Sequence, residues 1–296
     1  MDTTTKYLGA VEFSGKVVVS DPCYDRDCWC MKPDFPVLPG KYHVYAFYND
    51  EKDWGVRVAA LLFRHESFDQ IPFHGWKDID ADIGVDSGQC GIFDDSIYPQ
   101  EKDHPDHKPF YEECCDITLA DSQAGILQSG KGVVSSSGCG DGSYNLSVIE
   151  HNGANIALLL DYGLVETERV VRAVRAAMSG YEMLDIKQII DQIDSEITSF
   201  RKETWQLTGL AVYGKAYEIY LVENLAYLLC EYPDSYKEND RILAVADQLI
   251  AGGSFLPVFM EWALEQDSVD VSNVEKSGET LELFCNDWPS DQEGES

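Results

Sequence analysis

The chain has 296 residues, 44% of them apolar, enough for one large domain or two with sizeable cores. No run approaches the roughly 18 consecutive apolar residues that a membrane-spanning helix needs, which argues against a helical membrane protein. Against 22 Lys and Arg stand 53 Asp and Glu, and the formal charge of −31 repels nucleic-acid phosphate and anionic membranes while favouring basic partners or metal cations.

In chain order, Lys16 to Ser20 is a β-branched run closed by the turn signal Asp21-Pro22. Lys41 to Tyr48 is apolar on both alternating faces, which predicts a strand covered on both sides. Gly55 to Arg64 is a further strand candidate. In Lys77 to Asp86, Asp78, Asp80, Asp82 and Asp86 alternate with Ile79, Ala81, Ile83 and Val85. This predicts a strand with a solvated face. It is no EF-hand loop, because Ile83 and Gln89 stand where that loop needs glycine and glutamate. The proline-bearing stretch Tyr98 to Pro109 reads as an exposed loop. Lys131 to Ser135, Ser143 to Ile149 and Asn155 to Tyr162 read as an antiparallel meander, with Asn152-Gly153 as a two-residue hairpin turn.

Beyond about Val165 the apolar period changes from two to about 3.6. Helices are expected over Glu166 to Met178 and over Met183 to Phe200, the latter with a stripe of Ile186, Ile189, Ile190, Ile193 and Ile197. Leu207 to Tyr232 reads as one long buried helix ended by Pro233-Asp234. Asn239 or Asp240 would cap Arg241 to Ile250, and Ser254 would cap a helix to Glu265. Leu281 to Trp288 is the last apolar cluster. Tyr213, Tyr217, Tyr220 and Trp262 read as core. The expected fold class is α+β: an antiparallel β-rich domain over 1–165, sandwich or barrel-like, then an α-helical bundle over 166–289. Residues 290–296 form an acidic, disordered tail.

The opening residues Met1 to Lys6 show no charged-then-apolar leader. Nine cysteines, an odd number, read as free thiols rather than a disulfide framework. A cytoplasmic protein is therefore expected. Cys23, Cys28 and Cys30 are the metal candidates, and Cys114, Cys115, His104 and His107 could join them. Their spacing matches no common zinc module, so free thiols are the preferred reading. A nucleophilic pair would need Cys23 or Cys139 against His43, His65, His74 or His151, a geometry that spacing does not supply.

The stretch Gly132 to Tyr144 carries the richest loop signal, with glycines and serines around Asp141. It lacks the Gly-Lys-Ser/Thr ending of a phosphate loop and the strand-turn-helix setting of a dinucleotide fingerprint. It holds no nucleophile elbow either. Val85 to Asp94 is a second loop of the same kind, and Asp21 ends an apolar strand. These three pieces (Val18-Val19-Ser20-Asp21-Pro22, Val85 to Gln89 with Gly91 to Asp94, and Gly132 to Tyr144) resemble a bacterial and phage family catalogued as domain of unknown function 4241, over roughly residues 8–163. Cys139 and the cysteine-rich stretch after Pro22 depart from it. The resemblance implies a β-rich fold with a shared polar rim, and no established activity. The helical part has no counterpart.

The leading expectation is an acidic binding protein, more a binder than an enzyme. Its β domain would gather Asp21, Asp86, Ser87, Asp94, Ser137, Asp141, Gly142 and Tyr144 around a small polar ligand, a basic peptide or a cation. The partner is expected to be a protein or a small polar molecule, not nucleic acid or membrane. No cofactor is specified; a divalent cation is the one such carboxylates could accept. One alternative is a metal- or carboxylate-dependent hydrolase using Asp86 or Asp141. The other is an acidic mimic of DNA that blocks a nuclease or defence protein.

Overall fold

The computed structural model describes residues 4–26, 28–68, 71, 75–79, 82–100, 107–179, 184, 186–231, 239–266 and 272–288. The fold is α+β, and the chain divides into two compact units, Met1–Ser179 and Gly180–Ser296.

The first unit is built from β1 (Thr4–Phe13), β2 (Lys16–Ser20), β3 (Lys32–Pro36), β4 (Gly40–Asp50), β5 (Val56–His65), β6 (Lys77–Asp78), β7 (Ile83–Val85), β8 (Gln89–Asp94), α1 (His107–Thr118), β9 (Ala124–Ile126), β10 (Gly132–Ser136), β11 (Gly142–His151), β12 (Ala154–Asp161) and α2 (Thr167–Ser179). One sheet runs β1-β4-β5-β12-β11-β6, with β7 also pairing β11. The other runs β3-β2-β8-β10-β9. Every pairing is antiparallel.

Between the sheets Phe13, Val17, Tyr42, Phe63, Ile92, Val133 and Leu158 form the core. Period-two patterning puts Tyr42, Val44, Ala46 and Tyr48 into that core. Phe47, on the opposite face of the same strand, is buried as well. α2 packs against β1, β4 and β5, so β4 is covered on both sides as its sequence predicts. The β11–β12 hairpin turns at Asn152 and Gly153, whose φ values of 50° and 80° are those of a two-residue turn matched to the strand twist.

Several elements depart from the sequence reading. β1, β3 and β9 have no counterpart in it, and the expected meander does not form: β10 pairs with β8 and β9 in the five-stranded sheet, while β11 and β12 pair in the other. The expected loop Tyr98 to Pro109 ends in α1, and Tyr98 is buried; residues 101–106 lie outside the described ones. Pro109 falls in the first turn of α1, where its missing N–H costs nothing. Phe110 and Cys114 of α1 then pack on Val18, Phe93 and Val134 of the five-stranded sheet. The aspartate stretch is two short strands, β6 and β7, with Ile83 and Val85 buried as expected; Asp80 lies outside the described residues. The first unit extends past residue 165 because α2 buries Val170, Val171 and Val174, so the boundary falls at Ser179.

The second unit holds α3 (Ile186–Thr204), α4 (Leu210–Gly214), α5 (Ala216–Leu225), which continues into a π-helical turn over Ala226–Glu231, α6 (Asp240–Gly252), α7 (Leu256–Glu265) and α8 (Val274–Asp287). Of the isoleucine stripe, Ile189, Ile193 and Ile197 enter the core, while Ile186, at the helix start, is exposed. The long helix expected from Leu207 is instead two helices broken at Lys215, and its buried part begins at Leu221. Tyr213, Tyr217 and Tyr220 are exposed rather than core, whereas Trp262 stacks on Phe259 and meets Phe284 edge-on. Asn239 caps α6 through Arg241 N and Ile242 N, as expected. Ser254 does not cap α7: the Glu196 carboxylate of α3 accepts from Phe255 N and Leu256 N. Among the described residues no single helix is long and apolar enough to cross a membrane. Pro233-Asp234 and the acidic tail from Ser290 lie outside the described residues.

Candidate functional site

β2 delivers Asp21 to the end of the five-stranded sheet, where it is fully buried. Its Oδ1 accepts from Cys23 N at 2.9 Å and Ser87 Oγ at 2.6 Å. Its Oδ2 accepts from Asp86 N at 2.9 Å and Ser87 N at 2.7 Å. Four donors saturate the carboxylate, so Asp21 clamps the turn between β7 and β8. That turn is joined in turn to the loop between β10 and β11: Ser137 N donates to Gly88 O at 3.1 Å. A side chain on Gly88 would stand 4.0 Å from the Gly140 Cα, which brings the two glycine turns face to face. Gly88 has φ 70° and Gly140 φ 110°, backbone that glycine adopts without strain.

The loop closes on itself. Ser137 Oγ donates to Gly140 O at 2.9 Å, and Tyr144 Oη donates to Ser137 O and Gly140 O at 3.0 and 2.6 Å. Asp86, Asp141 and Gly142 are exposed on this rim. Burial first, then hydrogen bonds to the Asp86 carboxylate and the Cys30 thiol, raise the Tyr24 phenol well above its ordinary range.

Seven of the eight residues expected at the site therefore meet: Asp21, Asp86, Ser87, Ser137, Asp141, Gly142 and Tyr144. Asp94 does not. Ser20 pairs with Gly91 and Val17 with Asp94, so Asp94 lies three residues, or roughly 10 Å, farther along β8. There it accepts from Ser14 N at 2.5 Å and Ser96 N at 3.1 Å. Burial alone would push its carboxyl up, but the hydrogen bonds from Ser96 and Ser14 outweigh it and hold the group below its ordinary value. Alternation explains the misplacement: both ends of β8 carry turn-forming aspartates, and sequence does not say which rim each serves.

The thiol candidates resolve differently. Among the described residues no three His, Cys, Asp or Glu side chains converge so as to hold a metal ion, so Cys23, Cys28 and Cys30 are not such a group. Cys28 and Cys30 do meet, with their sulfurs 3.5 Å apart. His43 bonds Tyr7 and His65 bonds Ser67, while His151 packs edge-on to Phe68. None of the three bonds a thiol; His74 and His104 lie outside the described residues.

One site escaped the sequence reading. A cleft of about 660 Å³ opens between α1 and β9. Glu112, Glu113 and Asp116 stand on the helix side, and Ile117, Ala124 and Ile126 supply apolar surface. β9 is the edge of its sheet. Ser136 N donates to Gln123 O and Leu127 N to Gly132 O. Bonded pairs alternate in an antiparallel ladder, so Gly125 bonds Val134, and Ala124 and Ile126 turn their N–H and C=O groups to the open edge. The only signal in the sequence was the four-residue spacing of Phe110 and Cys114, one turn of a helix, hidden by Pro109.

Comparison of the chain with protein-family models, curated proteins and solved structures gives no match.

Proposed function

We propose that the first unit is a binding module for a lysine- or arginine-rich protein segment, taken up as an extended strand along β9. The observation that carries this reading is the cleft itself: Glu112, Glu113 and Asp116 line it together with the edge strand β9 and apolar side chains, Glu112 also pairing with Lys108 and Glu113 accepting from Gln128 N. An extended chain added there would gain main-chain hydrogen bonds from Ala124 and Ile126, and its cationic side chains would meet Glu112, Glu113 and Asp116. The overall charge of −31 steers a cationic segment toward the molecule. The polar rim serves the fold, since Asp21, Ser87, Ser137 and Tyr144 spend their hydrogen-bonding groups on backbone and on one another. That leaves a carboxylate-dependent hydrolase with less support than a binder.

The test is titration of a synthetic peptide that alternates lysine with valine. The double change Glu112→Lys with Asp116→Lys is expected to weaken binding at least tenfold. Asp86→Lys with Asp141→Lys alters the net charge equally and is expected to leave most of the affinity. Equal losses in both variants would mean diffuse electrostatic attraction and would overturn the assignment.

A further inference from the structure

The link between β2 and β3 places Cys28 Sγ 3.5 Å from Cys30 Sγ. A disulfide needs about 2.05 Å between sulfurs and about 4.4–6.8 Å between Cα atoms. Residues two apart span at most about 7 Å, and the turn closed by Met31 N on Cys28 O at 3.2 Å shortens that span. The sulfur contact and the backbone span are therefore both compatible with a Cys28–Cys30 bond. The two thiols differ in access: Cys28 is half-buried and Cys30 buried. Burial first, then the hydrogen bond with Cys28, raises Cys30 above the ordinary thiol range, so Cys28 is the attacking thiol and Cys30 the resolving one.

We propose that Cys28 and Cys30 form a thiol–disulfide exchange site for low-molecular-weight disulfides. Cys28 loses its proton to solvent and attacks one sulfur of R–S–S–R. A Cys28–S–S–R bond forms, and the first RS⁻ leaves and is protonated by water. Cys30 then loses its proton and attacks Cys28 Sγ, expelling the second RS⁻. The protein's two thiols are oxidised to one disulfide, and one small disulfide is reduced to two thiols.

Closure also reaches the rim. Gly84 N donates to Cys30 O at 2.8 Å. A side chain on Gly84 would stand 2.8 Å from Cys30 Cβ, so β7 lies hard against this residue. The Tyr24 phenol is raised by burial first and then by the Asp86 carboxylate and the Cys30 thiol beside it. This site does not depend on the cleft beside β9.

The test is incubation with oxidised glutathione in a Cys139→Ser background, which removes the exposed thiol. Intact mass and peptide mapping are then read. The expected product has lost two hydrogens, carries a Cys28–Cys30 link and is restored by dithiothreitol. Cys30→Ser is expected to stall as a glutathionyl adduct on Cys28, and Cys28→Ser to yield neither product. Unchanged alkylation of Cys28 and Cys30 after oxidant, or a stable adduct on Cys28 with Cys30 present, would overturn the proposal. If a serine variant fails to fold, the mapping with both thiols present decides alone.

Discussion

Asp21 and its neighbours Asp86 and Asp141 show how differently three aspartates on one rim are used. Asp21 is buried under four donors, and its loss would leave several amides without partners. Asp21→Ala is expected to cost on the order of 3 kcal/mol or more. Asp86→Asn and Asp141→Asn, at exposed positions, should stay within about 0.5 kcal/mol; urea unfolding midpoints check all three. Asp94 is a pH element. Its folded-state pKa is depressed, so its stabilisation is complete above the ordinary carboxylate value of about 3.9. It is lost as pH falls through the lower folded value. The melting temperature of the native protein should therefore drop more steeply below about pH 4 than that of Asp94→Asn. Equal slopes would remove Asp94 from the acid response. At this scale the sequence shows where turns must fall, because Asp, Gly and Ser announce them. It is silent on whether a carboxylate turns inward, which depends on donors 65 or more residues away, as Asp86 and Ser87 are from Asp21.

At the scale of elements, the strands with strong alternation or β-branched runs, from β4 and β5 to β12, are legible because one or both faces are apolar. β1 is not. It starts with polar residues and bends at Gly9, where its register on β4 shifts and φ reaches 126°, so no clean alternation survives. α1 is masked by Pro109, and with it the cleft, whose walls come from segments that only folding brings together. α2 belongs with the sheet it covers. A fragment ending at residue 165 should therefore lose the cooperative unfolding that a fragment ending at 179 retains, as followed by circular dichroism in urea; cooperative unfolding of both would contradict that placement. In the second unit, Glu196 replaces a local cap on α7, since Phe255 offers no side-chain acceptor. Glu196→Ala is expected to cost about 1–2 kcal/mol, read as a shift in the unfolding midpoint. A shift near zero would show that water satisfies those amides equally well.

For the whole molecule, the acidic excess is shared by both units rather than confined to a tail. Its long-range field accelerates encounter with any cation and fades with salt. Charge alone therefore does not distinguish a basic peptide partner from mimicry of DNA. Strand addition makes a local demand that a diffuse field does not, namely ordered amides at two named positions. Backbone amide hydrogen exchange with and without the lysine–valine peptide tests this most directly. Protection that rises at Ala124 and Ile126 on peptide addition is the predicted result. Unchanged exchange at both residues under saturating peptide would contradict the account.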